Sequence, residues 1–453
     1  MKSSDGHQLR LFELDFDQRD EGAAKSGTRG GGVMDSNEKR VGYKKTKMGW
    51  IPVEWEAVVL SDVAEVQTGI AKGKKTSSEA ITLPYLRVAN VQDGHVILDE
   101  IKEITLDQVD IERYRLKAGD VLFTEGGDFD KLGRGCVWQG QIDPCLHQNH
   151  VFAVRCDPDR LLPSLLACNA SAAHGRKYFI LNSKQSTNLA SINSTQLKVF
   201  PIPLPPLPEQ DKIAEILSAS DAAIEKTTDL IDAKQRQKKA LMQQLLTGKR
   251  RLPGFEGKWV SVRIGDVMTE VSRPVNWDDD EVYRLVSVRR RSGGLFYREA
   301  LQGRDILTKS MYTTHKGDFL ISKMQVVHGA MAMTTANFDG GHISGSYISL
   351  VAKEGARLHM PFFDYLSRTP WLYHLAFISS YGVVIEKMTF NLKDFMKKRI
   401  KVPVTIEEQL AITNVLQSCE REIAVLQDKL TALKQQKKSL MQKLLTGQVR
   451  VKV

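Results

Sequence analysis

Basic and amide side chains gather in stretches of this sequence that read as loops. Lys72, Lys74 and Lys75 follow Gly69; Lys131 and Arg134 stand in Asp130-Lys131-Leu132-Gly133-Arg134-Gly135; Gln148 and Asn149 lie in His147-Gln148-Asn149-His150. Further on, Arg289-Arg290-Arg291-Ser292-Gly293-Gly294 makes a basic turn, and Lys323, Gln325 and His328 follow a strand that begins after Gly317-Asp318. Lysine neutralises a phosphate as a point charge. A guanidinium fork or an amide can grip two atoms at once, as the edges of nucleobases require. For any one of these residues the alternative is a solvated turn or a satisfied strand edge.

Other chemistry is sought and not found. Gly69 to Thr76 imitates a phosphate loop, but only three residues separate its glycines and Lys-Lys-Thr follows, so ATP binding is rejected. Cys136, Cys145, His147 and His150 match no standard zinc spacing, and alternate strand residues face apart, so no metal is assigned. The five cysteines are odd in number and lack a Cys-x-x-Cys pair, which fits a reducing, cytoplasmic setting better than a disulfide framework.

These residues must be held by something larger than one core, because 453 residues exceed one ordinary domain. With 42% hydrophobic and 26% charged residues the composition is globular, and the net charge of +10 suits a polyanionic partner. No run approaches the roughly 18 apolar residues of a membrane span, and no apolar signal region follows the first basic residues. No membrane association is expected. Residues 1–46 mix charge with Gly and Ser and read as a flexible extension.

Sliding the sequence against itself exposes a long repeat at an offset of 199 residues. Glu209-Gln210 falls on Glu408-Gln409, and Lys238 to Gln243 falls on Lys437 to Gln442; Leu245-Leu246-Thr247-Gly248 then meets Leu444-Leu445-Thr446-Gly447. Both copies read as helices with acidic first turns and a glycine stop. Ile423, Leu426, Leu430, Leu433, Lys437, Leu440 and Leu444 keep coiled-coil spacing; Ile224, Thr227, Ile231, Lys234, Lys238, Leu241 and Leu245 keep it with more polar interruptions. Acidic residues crowd the first half of each helix, whereas all charges from Ala233 to Leu252 and from Leu433 to Val453 are basic. Antiparallel pairing would match acid to base. Met242, Leu246, Met441 and Leu445 are left over from the seam and are expected to face a protein partner.

Two globular segments alternate with these helices. Their openings echo each other, Trp55 to Val63 against Trp259 to Val267, as do Gly119-Asp120-Val121-Leu122-Phe123 and Gly317-Asp318-Phe319-Leu320-Ile321. Short β-rich runs punctuated by Gly and Asp give an α+β class. The division is 1–46 as extension, 47–207 and 250–406 as mixed β-rich globular domains, and 208–249 and 407–453 as helical spacers. The helices pair as an antiparallel coiled coil with pseudo-two-fold symmetry.

This order resembles the specificity subunits of type I restriction-modification enzymes. The resemblance runs from about residue 43 to the end and is carried by Gly119 to Gly127, by Asp130 to Gly135, by His147 to Phe152 and by the junction Ile202-Pro203-Leu204-Pro205-Pro206-Leu207-Pro208-Glu209-Gln210. The second junction, Val402-Pro403-Val404-Thr405-Ile406-Glu407-Glu408-Gln409, keeps Glu-Gln but loses the proline run. The resemblance implies a chain that reads a bipartite, asymmetric target in double-stranded DNA, one half per target recognition domain. Its implied partners are methyltransferase (modification) subunits, two in number, and restriction subunits that translocate and cut. S-adenosylmethionine, ATP and Mg would reside on those partners. No Asp/Asn-Pro-Pro-Tyr/Phe motif of a methyltransferase occurs here, so the chain is expected to be non-catalytic. Lys72, Lys74 and Lys75 would then take phosphate, with Lys131, Arg134, Gln148 and Asn149 nearer the bases. The alternative is a non-enzymatic coiled-coil interaction protein that binds acidic protein partners or RNA.

Overall fold

The computed structural model describes residues 40–453 except 74–76, 78–79, 128–131 and 186–189. Most of the expected extension, residues 1–39, lies outside the described residues. Its last part is ordered differently from expectation: Tyr43–Thr46 pairs antiparallel with Gly49–Pro52, and the Tyr43 hydroxyl donates to the carbonyl of Gly447, 2.8 Å away. No described helix is long and apolar enough to cross a membrane.

Two helices of 39 residues, Leu207–Leu245 and Ile406–Leu444, organise the molecule. Pro208 opens the first at a position where its missing N–H costs nothing, and the Thr405 side chain caps the second by accepting from the Glu408 N–H. Each spans about 58 Å at 1.5 Å per residue. They lie side by side and run in opposite directions. Lys234 reaches Glu422 (2.8 Å), Lys238 reaches Glu420 (2.5 Å) and Lys437 reaches Asp221 (2.5 Å), so pairing climbs one helix as it descends the other. All fourteen seam residues named from the sequence are buried or half-buried, whereas most positions between them are exposed.

The globular segments occupy opposite ends of this pair. In the first, a four-stranded sheet runs in the order Ala64–Thr68, Val151–Cys156, Val121–Thr124, Gly135–Val137; in the second, Met268–Val271, Tyr347–Ala352, Phe319–Ser322 and Met331–Met333 repeat that order. Each segment also closes on itself, through Glu56–Val59 paired with Pro201–Leu204 and Val260–Arg263 paired with Arg399–Val402. The first core takes in Ile213 and Leu217 from the start of one helix and Leu444 and Leu445 from the end of the other. The second takes in Ile412, Leu416, Leu245 and Leu246. The fold is mixed helix and sheet.

The repeated Glu-Gln explains how the pieces lock. Glu209, 2% exposed, accepts from the Arg450 guanidinium through both oxygens (2.7 and 3.0 Å) and from the Trp55 indole (2.9 Å). Glu408 is held in the same way by Arg251 (2.5 and 2.6 Å) and by Trp259 (3.3 Å). The adjacent glutamines turn the other way. Gln210 accepts from the Leu162 N–H and donates to the carbonyls of Arg160 and Pro205; Gln409 does likewise with His359, Arg357 and Pro403. Asp120 and Asp318, both buried, each take a guanidinium, from Arg155 and Arg273 respectively. The Gly-Asp echo is therefore structural.

Removing Arg450 leaves Glu209 buried beside a single indole donor. Arg450→Ala should lower stability by about 2 kcal/mol, less than for a fully buried pair because Arg450 is partly exposed, and should cost much less in a Glu209→Gln background. Urea unfolding of the four variants measures this.

Glu420 gives a pH dependence. Burial raises its pKa, but Lys238, Tyr365 and Arg368 outweigh burial and hold it below the usual 4.5. A lowered folded pKa means that its stabilisation is fully present above about 4.5 and is lost as pH falls through the lower folded value. Wild type should lose more stability than Glu420→Gln as pH drops below about 4.5, measured by thermal unfolding across that range.

Candidate nucleic-acid interface

In the first segment, the loop after Ala64–Thr68 is pinned to the loop before Val151–Cys156. The Ile70 N–H donates to the His147 carbonyl (2.8 Å), and the Asn149 N–H donates back to the Ile70 carbonyl (3.0 Å). Gly69 permits this approach, since a Cβ there would sit 2.1 Å from the His147 oxygen. Exposed Lys72 is thereby brought close to half-buried Gln148 and Asn149. Arg134 is half-buried and donates to Gln92 Oε1 (2.7 Å), a partner that sequence reading missed because 42 residues separate the two. Lys74, Lys75 and Lys131 lie outside the described residues.

The histidines and cysteines nearby are structural. His147 is fully buried, bonded through Nδ1 to the Val151 carbonyl, and burial depresses its pKa so that it stays neutral. His150 pairs instead with Glu125. Burial pushes the Cys136 and Cys145 thiols up to about 12, so both are protonated at neutral pH. Among the described residues no group of His, Cys, Asp and Glu could hold a metal ion.

In the second segment the structure joins two groups named separately from the sequence. Arg291 and Ser292 both adopt left-handed backbone, φ 56° and 52°. Their N–H groups donate to the carbonyls of His328 (2.7 Å) and Gly329 (2.9 Å), and the Ser292 hydroxyl bonds Tyr373. The basic turn is thus strapped to the Val326–His328 turn. Arg289 lies over the Phe296 ring at 4.6 Å, and Arg290 and Arg291 are exposed. Lys323 is committed elsewhere: its ammonium donates to the Gly345 carbonyl (2.7 Å), so it positions a loop. Gln325 and His328 are half-buried, and Gln325 Oε1 has no hydrogen-bond partner among the described residues.

The expected partner face needs correction. Leu246 is 3% exposed and Leu445 1%, each sunk into the core of the globular segment at its end of the helix pair, with Met242 and Met441 packed against the same cores. The globular segments cover surface that a two-helix seam alone would leave bare. Exposed apolar surface beside Met242 comes instead from Trp371, 55% exposed, at the mouth of a groove of about 860 Å³. Exposed Lys239, Lys249 and Lys401 rim that groove.

Comparison with known proteins agrees with this architecture. Residues 52–233 match the family model described as "Type I restriction modification DNA specificity domain". The chain is 26% identical over 437 residues to the putative type I restriction enzyme MjaX specificity subunit of Methanocaldococcus jannaschii, covering 91% of this chain and 98% of that protein. It is 27% identical over 192 residues to the StySPI specificity subunit of Salmonella potsdam, covering 42% of this chain and 38% of that protein. In fold it is similar to the HsdS subunit from Thermoanaerobacter tengcongensis, with a TM-score of 0.51, 18% identity and coverage of 88% and 98%. A chain solved in work on complex assembly of the type I R-M system gives a TM-score of 0.56, 17% identity and coverage of 88% and 99%.

Because Leu246 and Leu445 are core residues, Leu246→Glu and Leu445→Glu should each destabilise the chain on its own by about 3 kcal/mol or more. Trp371→Glu should stay within about 0.5 kcal/mol of wild type. Urea denaturation of the purified chain distinguishes the two outcomes.

Proposed function

We propose, from its membership of the type I restriction-modification specificity-subunit family, that the chain is the non-catalytic subunit that reads a bipartite, asymmetric target in double-stranded DNA. One observation carries this reading: two globular segments of different sequence stand at opposite ends of two paired 39-residue helices, each locked by the same Glu-Arg-Trp contact. A rigid spacer fixes the distance between two readers, where a flexible linker would blur it. Residues 47–207 and 250–406 act as target recognition domains, and the helices form an antiparallel coiled coil about a pseudo-two-fold axis.

The two readers share an architecture but carry different loops. Lys72, Arg134, Gln148 and Asn149 serve the first half-site, together with Lys74, Lys75 and Lys131, which are assigned to it from the sequence alone. Arg289, Arg290, Arg291, Gln325 and His328 serve the second, and Lys323 holds a loop beside them. Near-symmetry of the helices suits two modification subunits, with restriction subunits joining that assembly. The groove at Met242 and Trp371 is one surface open to them. S-adenosylmethionine, ATP and Mg belong on those partners, and the complex belongs in the cytoplasm.

Methylome sequencing of cells expressing this chain with its modification subunit tests the reading: a split, non-palindromic methylated motif is expected, and a continuous or palindromic one would sink it. Replacing Arg289, Arg290 and Arg291 together by Ala should weaken DNA binding across sequences and reduce the slope of log affinity against log salt by about 2 to 3. Anisotropy titrations of the complex at several salt concentrations measure this, and an unchanged slope would remove the turn from the interface.

A further inference from the structure

The groove of about 860 Å³ lies where the first long helix ends against the second globular segment. Met242, Leu246, Leu366 and Pro370 line it, and Trp371, 55% exposed, stands at its mouth. Every charged residue in its lining is cationic. Arg368 is taken up by Asp364 and Glu420, and Arg399 donates to Ser261. Lys239, Lys249 and Lys401 are exposed and form no ion pair among the described residues.

The molecule's own repeat supplies a comparison. The matching place is the end of the second long helix against the first segment, where the anchor and most of the charge are not repeated. Helix Pro370–Phe377 carries Trp371 as its second residue; the corresponding helix, Ala173–Asn182, carries His174, half-buried and bonded to Asn169 (3.0 Å). At the helical offset of 199, Lys239 recurs as Lys438, but Gln448 matches Lys249. In the closing strand pairs, Lys401 opposite Ser261 is matched by buried Pro203 opposite Ala57. Both ends keep the same strand order and the same Glu-Arg-Trp lock, so the fold itself requires neither Trp371 nor the two additional lysines.

An exposed tryptophan and a methionine over an apolar floor ringed by cations have the composition of a protein-interface hot spot. A phosphate backbone would satisfy the lysines but has no apolar group to fill that floor. We propose that the groove receives an apolar ridge flanked by Asp or Glu on a modification subunit, and that it does so at this end only. The inference rests on the function proposed above, in which the repeated helices receive two such subunits. The helix faces offer those subunits like surfaces, and the groove adds Trp371, Lys249 and Lys401 for one of them. The two are therefore held unequally. The tighter one sits beside the second globular segment, and a complex with one modification subunit forms first.

The test is calorimetric titration of the full chain with its modification subunit, fitted to two sites, with native mass spectrometry to count the subunits bound. Wild type should show two dissociation constants at least about tenfold apart, the difference one hot-spot side chain supplies. Trp371→Glu should raise the smaller constant by about tenfold and leave the larger unchanged. Lys249→Glu combined with Lys401→Glu should do the same and flatten the salt dependence of the tighter site. Equal constants in wild type, or variants that weaken neither site or both alike, would overturn the proposal. So would a loss confined to DNA binding, which would assign the lysine rim to phosphate. Failure of the wild-type chain to bind any modification subunit would instead overturn the function on which it rests.

Discussion

Glu209 and Glu408 are almost completely withdrawn from solvent, and a carboxylate in that position is tolerable only when cation and donors meet it in fixed geometry. Each finds them in an arginine that follows the end of the opposite helix and in an indole that opens a globular segment. One contact therefore joins three parts of the chain: the start of one helix, the end of the other and the entry to a domain. Because the contact occurs twice, the helix pair is pinned at both ends. Sliding by one turn would strand two buried charges.

That pinning sets what the seam must do. Thr227, Lys234, Lys238 and Lys437 occupy seam positions that aliphatic residues would fill more stably. With both ends fixed, the middle can spend its seam on ion pairs such as Lys234 with Glu422, which favour the antiparallel register and penalise like-charge alternatives. Stability resides at the ends, where Leu245, Leu246, Leu444 and Leu445 enter the domain cores.

Periodicity made the helices, their direction and their seam legible, because those depend on local spacing and on charge along one axis. The Glu-Gln repeat was visible as a repeat, but its purpose was not. Arg450 lies 241 residues from Glu209, and no spacing rule links them. Leu246 and Leu445 were misread for a related reason: a helical projection counts surface left over from a two-helix seam and knows nothing of a domain folded over the helix end. Lys323, read as a free cation, is spent on a backbone carbonyl, an acceptor that every residue carries and no sequence displays. The strap from Arg291 to His328 likewise depends on backbone groups alone.

The two ends of the molecule are not bonded alike. Glu420 receives Lys238 from the opposite helix and also Tyr365 and Arg368 from the second globular segment, whereas its counterpart Asp221 pairs with Lys437. Through that four-residue cluster the second segment is bonded to both helices well inside their ends. At the first segment the corresponding Asp221–Lys437 pair takes no hydrogen bond from the globular segment among the described residues. The second segment therefore grips the helix pair at two levels, at Glu408 and at Glu420, and the first grips it by side-chain ion pairing at Glu209.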